Sequence, residues 1–229
     1  MCFSASASFG AGIVLSAIGV ISIKKVQQPS QFAFASIPLI FAVQQLSEGF
    51  LWMALSHAEY SSMQLVSMYT FLFFAQFLWP IWVPSSILML EKSEKKKIAQ
   101  KIFLISGVVI SLYLSYCILF YGVQAKVEGG HIKYIKRFPI DFRLYGGLLY
   151  VIATVFPTFF SSIKWMWVLG ITVSISYIIT HLFYEDYIIS VWCFFASVIS
   201  IAVLAIMNQI KKEAIEKGFE KIESDSVIK

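Results

Sequence analysis

Charged side chains are scarce in this chain. Asp, Glu, Lys and Arg supply 14% of its 229 residues, 59% are hydrophobic, and the mean hydropathy is +0.77. A soluble domain of that length has too little interior to bury so much apolar surface, so a water-soluble fold is excluded and the partner is a lipid bilayer. Cysteine is nearly absent too. Cys2, Cys117 and Cys193 are odd in number and lack CxxC spacing, which excludes a disulfide framework and a zinc ribbon. There is no glycine-rich phosphate loop, dinucleotide fingerprint or serine-centred nucleophile elbow, so ATP-driven chemistry is not expected. A formal charge of +5 invites a nucleic-acid reading, but the basic residues fall between apolar segments rather than along an aromatic-lined groove. No nucleic-acid partner is expected.

What the chain does have is long apolar runs, near 5–23, 31–55, 62–90, 102–123, 144–161, 165–183 and 187–208. Each matches a hydrocarbon core about 30 Å thick. The expected fold is all-α, a polytopic transmembrane bundle of seven spans over 1–208, with 209–229 as a cytoplasmic amphipathic or disordered tail. In that tail Ile210, Ala214, Phe219 and Ile222 recur among Lys and Glu at helical spacing. The first run has no Lys or Arg ahead of it, so it lacks the basic lead of a cleavable signal and is expected to stay as a membrane helix.

Orientation follows from the basic residues. With the N-terminus outside, Lys24, Lys25, the 91–101 loop, Lys164 and the tail fall in the cytoplasm, a split of 13 to 5. The five outside are Lys126, Lys133, Lys136, Arg137 and Arg143. Within 122–135, two short alternating runs flank Gly129–Gly130, the pattern either of a small external β-hairpin able to act as a lid or of a flexible connector, since an isolated hairpin is marginal in water.

Of 13 acidic residues, only Glu48 lies inside an expected span. A carboxylate in lipid is costly unless protonated, paired or facing a polar cavity, which makes Glu48 the first functional candidate. Gln44, Gln45 and Trp52 share its helical face. The sixth run carries Gly170, Ser174, Tyr177, His181 and Tyr184 at spacings of three and four, and the seventh carries Ser190, Cys193, Ser197 and Ser200. Polar faces avoid lipid, so Glu48, His181 and Cys193 are expected to converge in the outer half of the bundle, with Cys2 at its mouth. That set offers sulfur, nitrogen and oxygen donors suited to Zn²⁺, with Glu48 as fourth ligand or as base for a metal-bound water.

The opening Met1–Cys2–Phe3–Ser4–Ala5, Gln44–Gln45 before Glu48–Gly49, the Trp79–Pro80 to Val83–Pro84 segment and Ser190–Val191–Trp192–Cys193 resemble an uncharacterised family of bacterial multi-pass membrane proteins. The resemblance implies a bacterial inner-membrane location and an architecture, without an activity. A fainter analogy runs to seven-helix membrane hydrolases of the alkaline ceramidase type, from which the chain departs in lacking an HxxxH pair. The function expected from the residues is a zinc-dependent membrane hydrolase. The alternatives are a small-solute or proton-coupled transporter or sensor using Glu48, and a structural or partner-binding membrane protein.

Overall fold

The computed structural model describes residues 4–136, 138 and 143–227. Helix α1 (Ala5–Ile23) starts at Ser4, whose hydroxyl accepts the Ala7 N–H at 3.2 Å. A turn closed by the Gln31 side chain on the Gln27 N–H leads through the short α2 (Phe32–Ala35) into α3 (Ile37–Ser56). Pro38 sits in the first turn of α3, where its missing N–H costs nothing. Helices α1 and α3 pack closely because α1 presents glycine. A Cβ on Gly12 would lie 2.8 Å from Leu46, and one on Gly19 2.8 Å from the Leu39 backbone nitrogen.

After Ser56 the chain runs through a 3₁₀ stretch into α4 (Gln64–Leu72), a π-helical stretch Phe73–Leu78, and α5 (Trp79–Leu90). The π stretch stands just before Pro80, and Pro84 lies inside α5. Prolines withhold N–H groups from preceding carbonyls, and other helices supply donors. Ser111 Oγ donates to Phe77 O at 2.7 Å and Tyr150 Oη to Ala75 O at 2.6 Å.

Helix α6 (Glu94–Tyr121) ends at Gly122, with φ +75°. Strands β1 (Val123–Glu128) and β2 (His131–Lys136) then pair antiparallel, Glu128 opposite His131 and Val123 opposite Lys136. Their two-residue turn, Gly129–Gly130, has φ of +58° and +76°, which only glycine adopts without strain. The remaining elements are α7 (Arg143–Thr154), α8 (Phe156–Phe159), α9 (Met166–Phe183), α10 (Ile188–Phe194) and α11 (Ala196–Val227).

Two apolar layers carry most of the packing among the described residues, beside a small third one that joins Ile110 and Leu114 of α6 to Ala153 of α7. The larger joins Leu15, Phe41, Trp79, Met166, Val203 and Met207 from α1, α3, α5, α9 and α11. The second lies under the hairpin, where Val123, Ala125, Ile132 and Tyr134 pack on Leu51, Trp52, Met68 and Phe71. Tyr134 stacks on Phe71 with ring centres 5.3 Å apart. This docking supplies what an isolated hairpin lacks.

Five helical stretches are long and apolar enough to cross a membrane among the described residues: Ala5–Ile23, Pro29–Ser56, Ala58–Leu90, Glu94–Tyr121 and Met166–Phe183. The run expected over 144–161 is broken into α7 and α8, and its apolar part, Gly146–Phe159, is shorter than these. Pro157 accounts for the break, since no helix can use an N–H at that position. The run at 187–208 spans α10 and the first part of α11, which continues as helix through the tail to Val227.

Candidate functional site

Four side chains on one face of α3 bring polar groups into the interior. Gln44, Gln45, Glu48 and Trp52 repeat at helical spacing, and all are buried, Glu48 to 0% exposure and Gln45 to 1%. Eight residues separate Glu48 from Ser56, which puts the carboxyl about 12 Å inside that end of the helix.

Other helices meet α3 at this level. Phe9 of α1 lies so close that a Cβ on Gly49 would fall 2.8 Å from its ring, and Ser8 beside it is buried. From α10, Ser190 Oγ donates to Glu48 Oε1 at 2.6 Å. From α5, Trp79 Nε1 donates to Gln44 Oε1 at 2.7 Å, with the indole stacked on Phe41 at 3.9 Å. Gln44 and Glu48 are thereby fixed to two different helices. Gln45 differs. Its carboxamide oxygen and nitrogen are both buried and have no hydrogen-bond partner among the described residues, and the same holds for Ser8 Oγ and Trp52 Nε1. Buried polar atoms are nearly always satisfied, so hydrogen-bonding capacity gathered beside a carboxyl group can serve a small polar guest.

His181 does not join Glu48. It is exposed on the outer face of α9, its ring parallel to Tyr177 at 5.9 Å. Of the expected stripe, Gly170 stays buried, Ser174, Tyr177 and Tyr184 are half-buried at the edge of the interior, and His181 is turned out. The buried face is Met166, Leu169, Gly170, Val173, Ser176 and Thr180. The rotation has a local cause. A Cβ on Gly170 would sit 2.4 Å from Thr158 Oγ1, so this glycine seats α9 on α8, and Ser176 Oγ accepts Trp192 Nε1 at 2.9 Å. Ser174 satisfies itself on the Gly170 carbonyl at 2.7 Å and needs no polar neighbour.

Cys2 lies outside the described residues, as does the side chain of Cys193, whose backbone stands in α10 three residues beyond Ser190. Cys117 is buried in α6. No three His, Cys, Asp or Glu side chains gather as a metal-binding group among the described residues.

Two clusters escaped the sequence reading. At the far end of α5, the Glu91 carboxylate accepts the N–H groups of Lys92 and Ser93 at 3.0 Å, the Ser162 N–H at 2.8 Å, and the hydroxyls of Ser161 and Ser162. Burial pushes its pKa up, but the bonds from Ser162, Ser93 and Lys92 outweigh this and hold it below the usual glutamate value. Every bond is internal, so Glu91 ties two loops together. The other cluster surrounds His131, which opens β2 and is 6% exposed. Its ring stacks on Tyr187 at 4.7 Å and meets Tyr184 edge-on at 5.3 Å. The only sequence signal for it was its place after the Gly129–Gly130 turn.

No curated protein and no solved structure matches the chain. A family model matches residues 1–217, and the chain thus belongs to a family of unknown function, DUF6629.

Proposed function

We propose that the chain is a seven-span membrane protein, N-terminus outside and C-terminus in the cytoplasm, working as a small-solute or proton-coupled transporter or sensor through Glu48. The observation that carries this reading is the setting of Glu48: fully buried, bonded to Ser190 of another helix, one turn from a Gln45 carboxamide with both polar atoms in reserve. A carboxyl group there changes its hydrogen-bonding role with its proton. Ionised it only accepts, and protonated it donates as well. Gain or loss of that proton therefore alters what holds α3 to α10 and what Gln45 can bind, which links a proton to a guest or to helix position.

The test uses purified protein in liposomes loaded with a pH-sensitive dye. An imposed proton gradient is expected to decay faster than in protein-free liposomes, and Glu48→Gln is expected to return the decay to the protein-free rate. Wild-type decay at the protein-free rate removes the transport form of the reading.

A second reading, the zinc-dependent hydrolase, is favoured by one observation. The Ser190 bond brings the helix that bears Cys193 against Glu48. With His181 facing outward, its ligands are Cys2, Glu48 and Cys193, and Glu48 is alternatively the base for a zinc-bound water. Elemental analysis of detergent-purified protein separates the two. Stoichiometric zinc lost in Cys193→Ser supports this reading, and absence of zinc from wild-type protein purified without chelator counts against it.

A further inference from the structure

The hairpin covers the end of the bundle nearest Glu48. Ile132 and Tyr134 on its underside share an apolar layer with Leu51 and Trp52, which follow Glu48 on α3, and with Ile189, next to Ser190. The hairpin is anchored to the turn between α9 and α10. His131 packs on Tyr184 and Tyr187, and Lys133 Nζ bridges Asp186 at 3.2 Å and Glu128 at 3.4 Å. Tyr187 Oη comes so close to the hairpin turn that a Cβ on Gly129 would lie 3.1 Å from it. Three residues beyond Tyr187 stands Ser190, the partner of Glu48.

We infer that the hairpin is an acid-opened lid: protonation of His131 unseats it from Tyr184 and Tyr187 and lifts Ile132 and Tyr134 off the layer above Glu48. The role assigned to the uncovered site rests on the Glu48 reading, whereas the opening itself does not.

The surrounding charges favour opening. His131 stands opposite Glu128 across the strand pair, two residues from Lys133 on its own strand, and against the rings of Tyr184 and Tyr187, which flank Glu185 and Asp186 in the turn. Glu128 is engaged by Lys126 and Lys133, and Asp186 by Lys133, so these carboxylates are already matched by lysines. A phenol face attracts an imidazolium, but a ring with 6% exposure loses more hydration on charging than one stacked phenol returns. Burial pushes the His131 pKa below its ordinary value. The sign follows. With the docked value depressed, docking is fully stable above the ordinary imidazole value of about 6.5 and weakens as pH falls below it. Glu128 stays ionised through that window, because its hydrogen bond from Lys126 holds its pKa down. The Glu128 bridges, internal to the hairpin, therefore persist while the histidine titrates, and the Lys133–Asp186 pair at the exposed edge is the one that opening breaks.

Hydrogen exchange of the 123–136 amides in the full-length protein tests the lid, with wild type and His131→Phe compared at each pH so that the intrinsic pH dependence of exchange cancels. Phe keeps the ring and cannot take a proton. Between about pH 7.5 and about pH 5, the wild-type to variant ratio of exchange rates is expected to rise several-fold, because the undocked imidazole takes its proton at about 6.5 and the docked one only at lower pH. A ratio that stays flat overturns the lid. Should His131→Phe not fold, wild-type hairpin amides are referred to those of α6 instead, and the same rise or its absence decides. Because the readout is hairpin protection, the rise is expected to survive in Glu48→Gln, so the lid and the Glu48 reading stand or fall separately. Loss of the rise in that variant would overturn the assignment of the switch to His131.

Discussion

Ser190 donates its hydroxyl to Glu48 Oε1 at 2.6 Å, joining α10 to α3 across 142 positions of sequence. Removing the hydroxyl leaves a buried acceptor with one partner fewer. Ser190→Ala is expected to lower stability by about 1–3 kcal/mol, the usual cost of stranding a buried polar group. Thermal unfolding in detergent measures it, and an unchanged midpoint would mean that the bond carries no weight.

Gly107 and Gly147 make a matched pair. A Cβ on Gly107 would fall 1.8 Å from the Pro80 carbonyl oxygen, whereas one on Gly147 meets nothing within 4 Å. Gly107→Ala must push α5 and α6 apart and is expected to cost about 1–3 kcal/mol or more. Gly147→Ala is expected to be neutral or to stabilise by about 0.5–1 kcal/mol, since glycine is a poor helix residue. Equal unfolding midpoints would place the α5–α6 contact wrongly.

Glu91 gives a pH signature at the other end of the bundle. Its folded pKa is lowered, so its contribution is present above the ordinary glutamate value of about 4.3 and is lost as pH falls through the lower folded value. Glu91→Gln is expected to be less stable than wild type at neutral pH and to converge with it in acid. Unfolding midpoints of both proteins, measured from neutral to acid pH, check this, and a constant gap would assign the acid loss to other groups.

His181 is expected to be dispensable. It is exposed and touches Tyr177, so His181→Ala should change stability by no more than about 0.5 kcal/mol and leave proton flux in liposomes unaltered. Loss of flux in this variant would restore it to the site.

What was legible in the sequence and what was not divides along physical lines. Glu48 stood out because one carboxyl in an apolar run has no local remedy, so something distant must satisfy it. The hairpin was legible from Gly129–Gly130, where backbone sterics act within four residues. The orientation of α9 was not, because Ser174 and Thr172 bond to their own helix carbonyls and report nothing about which face is inward. Helix α6 starts at Glu94, well before the apolar run at 102, because Glu and Lys are good helix formers outside lipid. Burial of His131 depends on Tyr184 and Tyr187, some fifty residues away, a pairing that no local pattern encodes.

Labelling by a membrane-permeant carbodiimide tests the central claim most directly. The reagent attacks protonated carboxyl groups in apolar surroundings, and mass spectrometry of the digested protein locates the adduct. The expected result is modification of Glu48 in preference to the other 12 acidic residues, declining as pH rises and absent from Glu48→Gln. Modification confined to carboxylates outside the apolar helices, with Glu48 untouched at every pH, would contradict the assignment of Glu48 as a proton-exchanging centre.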